Sequence, residues 1–201
     1  MKPSRFLFGN ILLVGACLLG LSAKMPKTER QNIVQGDAQF TQENYEVALT
    51  YYIEAFKIDP SNANLCFKIG VCYMNIPNKK SEAEKYLFVA ANDASENYKE
   101  TSVKERHAPT SAYYLYAQSL HLAGKFDDAI SYFEKYKLNV DPNDSTSIND
   151  IMLRERWCIN GKTLIQSPVN FKSLARFFNI RHGTGPYSKY ASICFALQEY
   201  S

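Results

Sequence analysis

The side chains best suited to chemistry in this 201-residue chain are five cysteines and three histidines. Cys66 and Cys72 stand six apart, about 9 Å of rise on one helix, which is too far for a disulfide within it. With His107, His121 and His182 they make none of the short paired spacings that a zinc site needs. Cys66, Cys72 and Cys158 read as small apolar core residues, with a bridge from Cys66 or Cys72 to Cys158 left open and the state of Cys194 unassigned. The run RHGTGP, Arg181 to Pro186, has the glycines of a phosphate loop but not the G-x-x-x-x-G-K-[ST] spacing, so it reads as a turn. Paired carboxylates and nucleophile–base arrangements do not rise above background, so the expectation is no enzyme, no cofactor, no metal and no small-molecule substrate. A net charge of +3 without a run of five basic residues argues against nucleic acid. What remains is non-covalent chemistry, and the 12 Phe and 14 Tyr supply surface for it.

Those aromatics recur with a period. Gly36 and Gly70 lie 34 residues apart, each followed by aromatic and small residues in the same order. The first unit carries Gly36, Tyr45, Ala48, Tyr52, Ala55 and Pro60. The second carries Gly70, Tyr73, Ala83, Leu87 and Ala90 after one extra residue in its turn. The third carries Ala117, Gly124, Phe126, Ala129, Phe133 and Pro142. Small residues at Gly36, Gly70 and Ala117, facing Ala48, Ala83 and Ala129, let two antiparallel helices approach to about 8–10 Å. Tyr45 and Phe126 plug the open ends of their hairpins, and Pro60 and Pro142 stop the second helices.

This pattern resembles the tetratricopeptide repeat family across residues 29–143. The resemblance implies an all-α, helical-hairpin solenoid of about three repeats with a concave strip along the first helices. Carried over residue by residue, the strip is Ile33, Asp37 and Phe40 in unit one and Asn64, Phe67, Val71 and Met74 in unit two. In unit three it is Ser111, Tyr114, Gln118 and His121. The carboxylate clamp of chaperone-binding relatives needs Lys and Asn at defined places, and Ile33, Asp37 and Ser111 occupy three of them. The implied ligand is a peptide or protein segment, and not an acidic chaperone tail.

Either side of the repeats the chain changes character. Lys2 and Arg5 precede an apolar run, Phe6 to Leu21, which closes on Ser22 and Ala23, so residues 1–23 read as a secretory signal peptide. Cleavage after Ala23 is the first expectation; the second is lipidation at Cys17, because Val14-Gly15-Ala16-Cys17 resembles a lipobox. Without Lys2 and Arg5 the remainder has 21 basic against 20 acidic residues. From Gly70 to Ala117 the step grows to 47 residues, and beyond the one extra turn residue at 75–80 the excess falls in the polar stretch 93–110, expected as an extended second helix and a loop. Residues 144–168 are expected to form a helix covering the open end of the solenoid, N-capped by Asp144, Ser145 or Ser147 and packing through Trp157. Residues 169–201 are an irregular tail.

Cys158, Gly161, Leu164, Pro168 and Val169, with Tyr187, Tyr190 and Ala191 beyond them, further resemble Bacteroidetes outer-membrane proteins. Those proteins join such repeats to a propeller and a peptidoglycan-binding domain. The 33 residues after Pro168 are too few for one blade of about 40–45 residues, so peptidoglycan binding does not transfer. The expected function is a non-enzymatic interaction scaffold, periplasmic or outer-membrane associated, binding a protein or peptide of the cell envelope. Membrane association would come only through that partner or through lipidation of Cys17. The alternative is a structural assembly subunit or a shortened relative of the outer-membrane proteins.

Overall fold

The computed structural model describes residues 27–166. Seven α-helices run in order: α1 (Lys27–Thr41), α2 (Tyr45–Phe56), α3 (Ala63–Asn75), α4 (Ala83–Asn92), α5 (Ser111–Leu122), α6 (Phe126–Lys137) and α7 (Ser145–Gln166). Each packs on its predecessor, and α3 also meets α5, so three hairpins stack and α7 closes the row. Local chemistry places the ends. The Asn62 side chain accepts a hydrogen bond from the Leu65 amide at 3.0 Å and caps α3. Asp144 is the residue that caps α7, accepting from the Ser147 amide at 3.1 Å and its hydroxyl at 2.6 Å.

The interior is built from small residues opposed to large ones. Ala48, Ala55, Ala83, Ala117 and Ala129 are fully buried. A Cβ added at Gly36 would come within 2.4 Å of the Tyr52 ring, and one at Gly70 within 2.4 Å of Leu87, so both glycines are close-approach sites. α7 repeats the device, since a Cβ at Gly161 would fall 2.5 Å from the Phe126 ring. Its buried contacts are Ile151 and Cys158, whereas Leu153, Ile159 and Leu164 face outward. Trp157 is half-buried with the Arg154 guanidinium 5.8 Å from its ring centre, and Ile151, Cys158 and Gly161 make the closest seam with the last hairpin.

All three hairpin turns place one residue in the left-handed region: Glu43 (φ 60), Asn78 (φ 61) and Gly124 (φ 74). Each stands seven residues after its unit's small residue, or eight where unit two has its extra turn residue. Only unit three uses the residue type for which this conformation is free of strain. Glu43→Gly is therefore expected to raise stability by about 0.5–1 kcal/mol, the relief of strain exceeding glycine's entropic cost. Urea unfolding checks this, and a lower midpoint would overturn it.

Between units two and three the expected extended helix does not form. α4 ends at Asn92, and the chain turns back on itself. Two short strands, β1 (Ala94–Ser95) and β2 (Ala108–Pro109), pair in parallel, and the Ala108 amide donates to the Asp93 carbonyl at 3.0 Å. Residues 94–109 thus form a closed loop whose ends meet. Ala108 locks it down, wholly buried in a cluster with Ala63, Cys66, Ala90 and Ala112.

Candidate functional site

The row of first helices, α1, α3 and α5, carries every position expected to line the strip. Ile33 is only 4% exposed and belongs to the core around Ala48 and Tyr52, a cluster against which the loop residue Val103 also packs. Asp37 accepts hydrogen bonds from the buried Tyr52 hydroxyl at 2.7 Å and from the Lys68 ammonium, which ties α1, α2 and α3 together. Burial first, then Asp37, raises the Tyr52 phenol far above its ordinary pKa. Phe40 is half-buried, edge-on to Tyr45 at 5.6 Å. Asn64 is 6% exposed and fully engaged by the 94–109 loop.

In unit three, α7 occupies the strip. The Tyr114 hydroxyl donates to Asp150 at 2.5 Å, and Arg154 donates to the same carboxylate at 2.9 Å while its guanidinium lies 5.1 Å from the Tyr114 ring centre. Burial alone would raise the Asp150 carboxyl, but bonds from Arg154 and Tyr114 hold it below the usual range. Tyr114 is pushed up to about 12, by burial and then by Asp150.

His121 and Cys158 form a pair that the sequence did not suggest, because 37 residues separate them. Nδ1 lies 3.2 Å from Sγ, and the imidazole sits edge-on to Phe126 at 5.4 Å. Thiol beside imidazole is the arrangement of a cysteine nucleophile, but activation needs a lowered thiol pKa. Here burial pushes Cys158 up to about 11, and burial followed by Arg154 lowers His121. The sulfur stays protonated and the ring neutral, which suits packing.

That shift sets a pH dependence. His121 titrates below its ordinary 6.5 in the folded chain, so on acidification the unfolded chain takes up this proton first. Its contribution to stability is whole above about pH 6.5 and is lost as pH falls through the folded pKa. Glu29 and Glu155, whose carboxyls burial raises, act in the opposite sense. His121→Gln should flatten the loss between about pH 7 and 5. A stability curve with an unaltered acid limb would assign the titration elsewhere.

Phe67, Val71 and Met74 on α3 and Gln118 on α5 remain partly exposed. Phe67 leans on the Ala108–Ala112 cluster and Met74 on the core of unit three, so the open strip is a short apolar ledge between units two and three. Among the described residues no group of three or more His, Cys, Asp or Glu could hold a metal ion, and no helix is long and apolar enough to cross a membrane.

Two stretches, residues 33–62 and 110–137, match the family model described as Tetratricopeptide repeat. The fold is a tetratricopeptide-repeat fold. Residues 33–62 take in α2 and most of α1, and 110–137 take in α5 and α6. The tetratricopeptide unit formed by α3 and α4 lies outside the match and is the one with the lengthened turn and the loop after it. Among solved structures, the first TPR of Spaghetti (RPAP3) bound to the HSP90 peptide SRMEEVD is 20% identical and covers 68% of this chain and 97% of its own, with a TM-score of 0.50. The NMR structure of the first TPR domain of the human RPAP3 protein is 19% identical, covers 68% and 96%, and has a TM-score of 0.50. No curated protein matches the chain. These likenesses support the tetratricopeptide repeats and not the narrower outer-membrane resemblance. The tail residues that carried that resemblance beyond Gln166, and the N-terminal segment, lie outside the described residues.

Proposed function

We propose that this chain is a non-enzymatic protein-interaction scaffold of the bacterial cell envelope, receiving a segment of a partner protein on its first-helix row. The carrying observation is the partly exposed ledge of Phe67, Val71 and Met74, apolar surface beside a closed, hydrogen-bonded framework. Recognition of a peptide by this fold is on record in the Spaghetti (RPAP3) structure with its HSP90 peptide. This chain suits a different peptide, because Lys68, next to Phe67 on α3, is already paired with Asp37. A segment presenting apolar side chains at helical spacing fits the ledge better.

Crosslinking and affinity capture from envelope fractions, with the full chain as bait, tests this reading. Phe67→Ala combined with Met74→Ala should weaken capture of a discrete partner by about tenfold while far-UV circular dichroism stays helical. Deleting residues 172–201 should leave capture intact. If the deletion removes binding and the double substitution does not, the ledge is not the site.

The envelope setting rests on Lys2, Arg5 and the apolar run from Phe6 to Leu21. Residues 1–30 fused to a reporter active only outside the cytoplasm should give signal, with processing after Ala23 or modification at Cys17 resolved by the size of the product. A silent, expressed reporter would remove the compartment from the proposal.

A further inference from the structure

The 94–109 loop holds its place by the contacts a bound peptide would make. On α3, Asn64 spends its whole side-chain amide on the loop: Nδ2 donates to the Glu105 carbonyl at 3.3 Å, and Oδ1 accepts from the Tyr98 hydroxyl at 3.2 Å. The Asn64 amide, one of the orphan donors of the first turn of α3, is satisfied by the Arg106 carbonyl at 2.9 Å. Arg106 in turn pairs with Asp59 and donates to the Ser61 hydroxyl at 3.1 Å, while Val103 packs against the apolar cluster that contains Ile33. The contacts therefore combine main-chain carbonyls gripped by a side-chain amide, an aromatic anchor, an apolar anchor and a paired guanidinium. These are the elements of peptide recognition.

The loop also has its own internal frame. The Glu105 carboxylate accepts hydrogen bonds from the Lys99 amide at 3.0 Å and from the Arg106 and His107 amides at 2.9 Å each. These bonds curl the segment onto itself, so it presents Tyr98, Val103 and Arg106 as a preformed set. Its mouth is closed by the Ala94–Ala108 pairing, independently of what the tip touches. Release of the tip from α3 therefore does not require the mouth to unpair.

We propose that the face formed by the start of α3 and the α2–α3 turn, around Asn64 and Asp59, is a peptide-binding site occupied in cis by residues 94–109. Its ligand in trans is a turn-forming segment with a tyrosine followed eight residues later by an arginine. The inference rests on the binding reading of the first-helix row and concerns its Asn64 end, one turn of α3 from Phe67, and its test needs no partner. A tethered segment has an effective concentration on the order of millimolar, so the intact chain holds its site closed against weaker competitors.

The probe is a synthetic peptide spanning residues 94–109. In a full chain whose residues 95–107 are replaced by a short Gly-Ser linker, the peptide should bind one to one, and at least about tenfold more tightly than it binds the intact chain. Adding Asn64→Ala to the shortened chain should weaken that binding by about tenfold or more. A helical shortened chain that ignores the peptide overturns the proposal. Should the shortened chain not fold, native-state hydrogen exchange on the intact chain decides. The Asn64 amide should then open at low denaturant at least about tenfold faster than core amides of α2 and α6. Exchange of the Asn64 amide only through global unfolding would make the loop a permanent part of the fold and end the proposal. Loss of partner capture on the Phe67–Met74 ledge would leave each of these outcomes unchanged.

Discussion

Phe133→Ala is expected to lower the stability of the folded chain by about 3–5 kcal/mol. Phe133 is 1% exposed and fills the middle of a cluster in which Ala83 and Leu87 come from unit two, Tyr116, Ala117, Leu120 and Ala129 from unit three, and Ile151 and Cys158 from α7. Its ring stands edge-on to Tyr114 at 5.7 Å, so the substitution also loosens the Tyr114–Asp150 clasp on α7. Alanine leaves a cavity that helices fixed on three sides cannot close, which places the cost at the upper part of the range for aromatic truncation. Because a solenoid's units are stable largely through their neighbours, the loss should appear in the whole transition and not as an early local melt. Urea unfolding with an unchanged slope and a lower midpoint is the expected record. A loss under about 1 kcal/mol would mean that Phe133 does not join the three elements.

The second large effect comes from adding atoms. Ala48→Leu and Ala129→Leu should each cost about 1–3 kcal/mol through overpacking. Both alanines are 0% exposed at the crossings of α2 on α1 and α6 on α5. In unit one the space across from the hairpin's glycine is already filled, since the Tyr52 ring lies where a Cβ on Gly36 would be. Leucine at position 48 has to push α1 and α2 apart, straining the Tyr52–Asp37 hydrogen bond as well. Melting temperatures unchanged in both variants would show that these are not close crossings.

Why these residues were readable and others were not has a physical explanation. The hairpins are local objects. Gly36 and Tyr52, or Ala117 and Phe133, lie sixteen residues apart, and the chemistry that packs them leaves a period in the sequence. The loop over 94–109 obeys no period. Its structure depends on Asn64 meeting Glu105 and Tyr98, and on Asp59 meeting Arg106, contacts that span 34 to 47 positions and leave no local signal. Of its polar residues only Tyr98, Glu105 and Arg106 make those bonds, while Lys99, Glu100, Thr101 and Lys104 stay exposed.

The same long-range contacts redraw the strip. Tetratricopeptide spacing places Ile33 and Asn64 on the row of first helices, but it carries no information about what covers them. Tyr114 and His121 are likewise taken by Asp150 and Cys158 of α7. On α7 itself the apolar residues point to several sides. Periodicity therefore favours Trp157 for the seam, whereas the small residues Cys158 and Gly161 make the closest approach.

The meeting of Ala94 with Ala108 has a consequence for what can change in this molecule. α4 and α5 pack as neighbours even though the step between their units is thirteen residues longer than the 34-residue period, because both ends of the extra chain leave and return at one point. The stacking geometry is thereby insulated from the length of whatever hangs between residues 95 and 107. Doubling that length would add only about 0.6 kcal/mol of closure entropy. The solenoid can keep its dimensions while the text carried on this one appendage is rewritten, which makes it a natural place for grafted epitopes or for divergence in specificity.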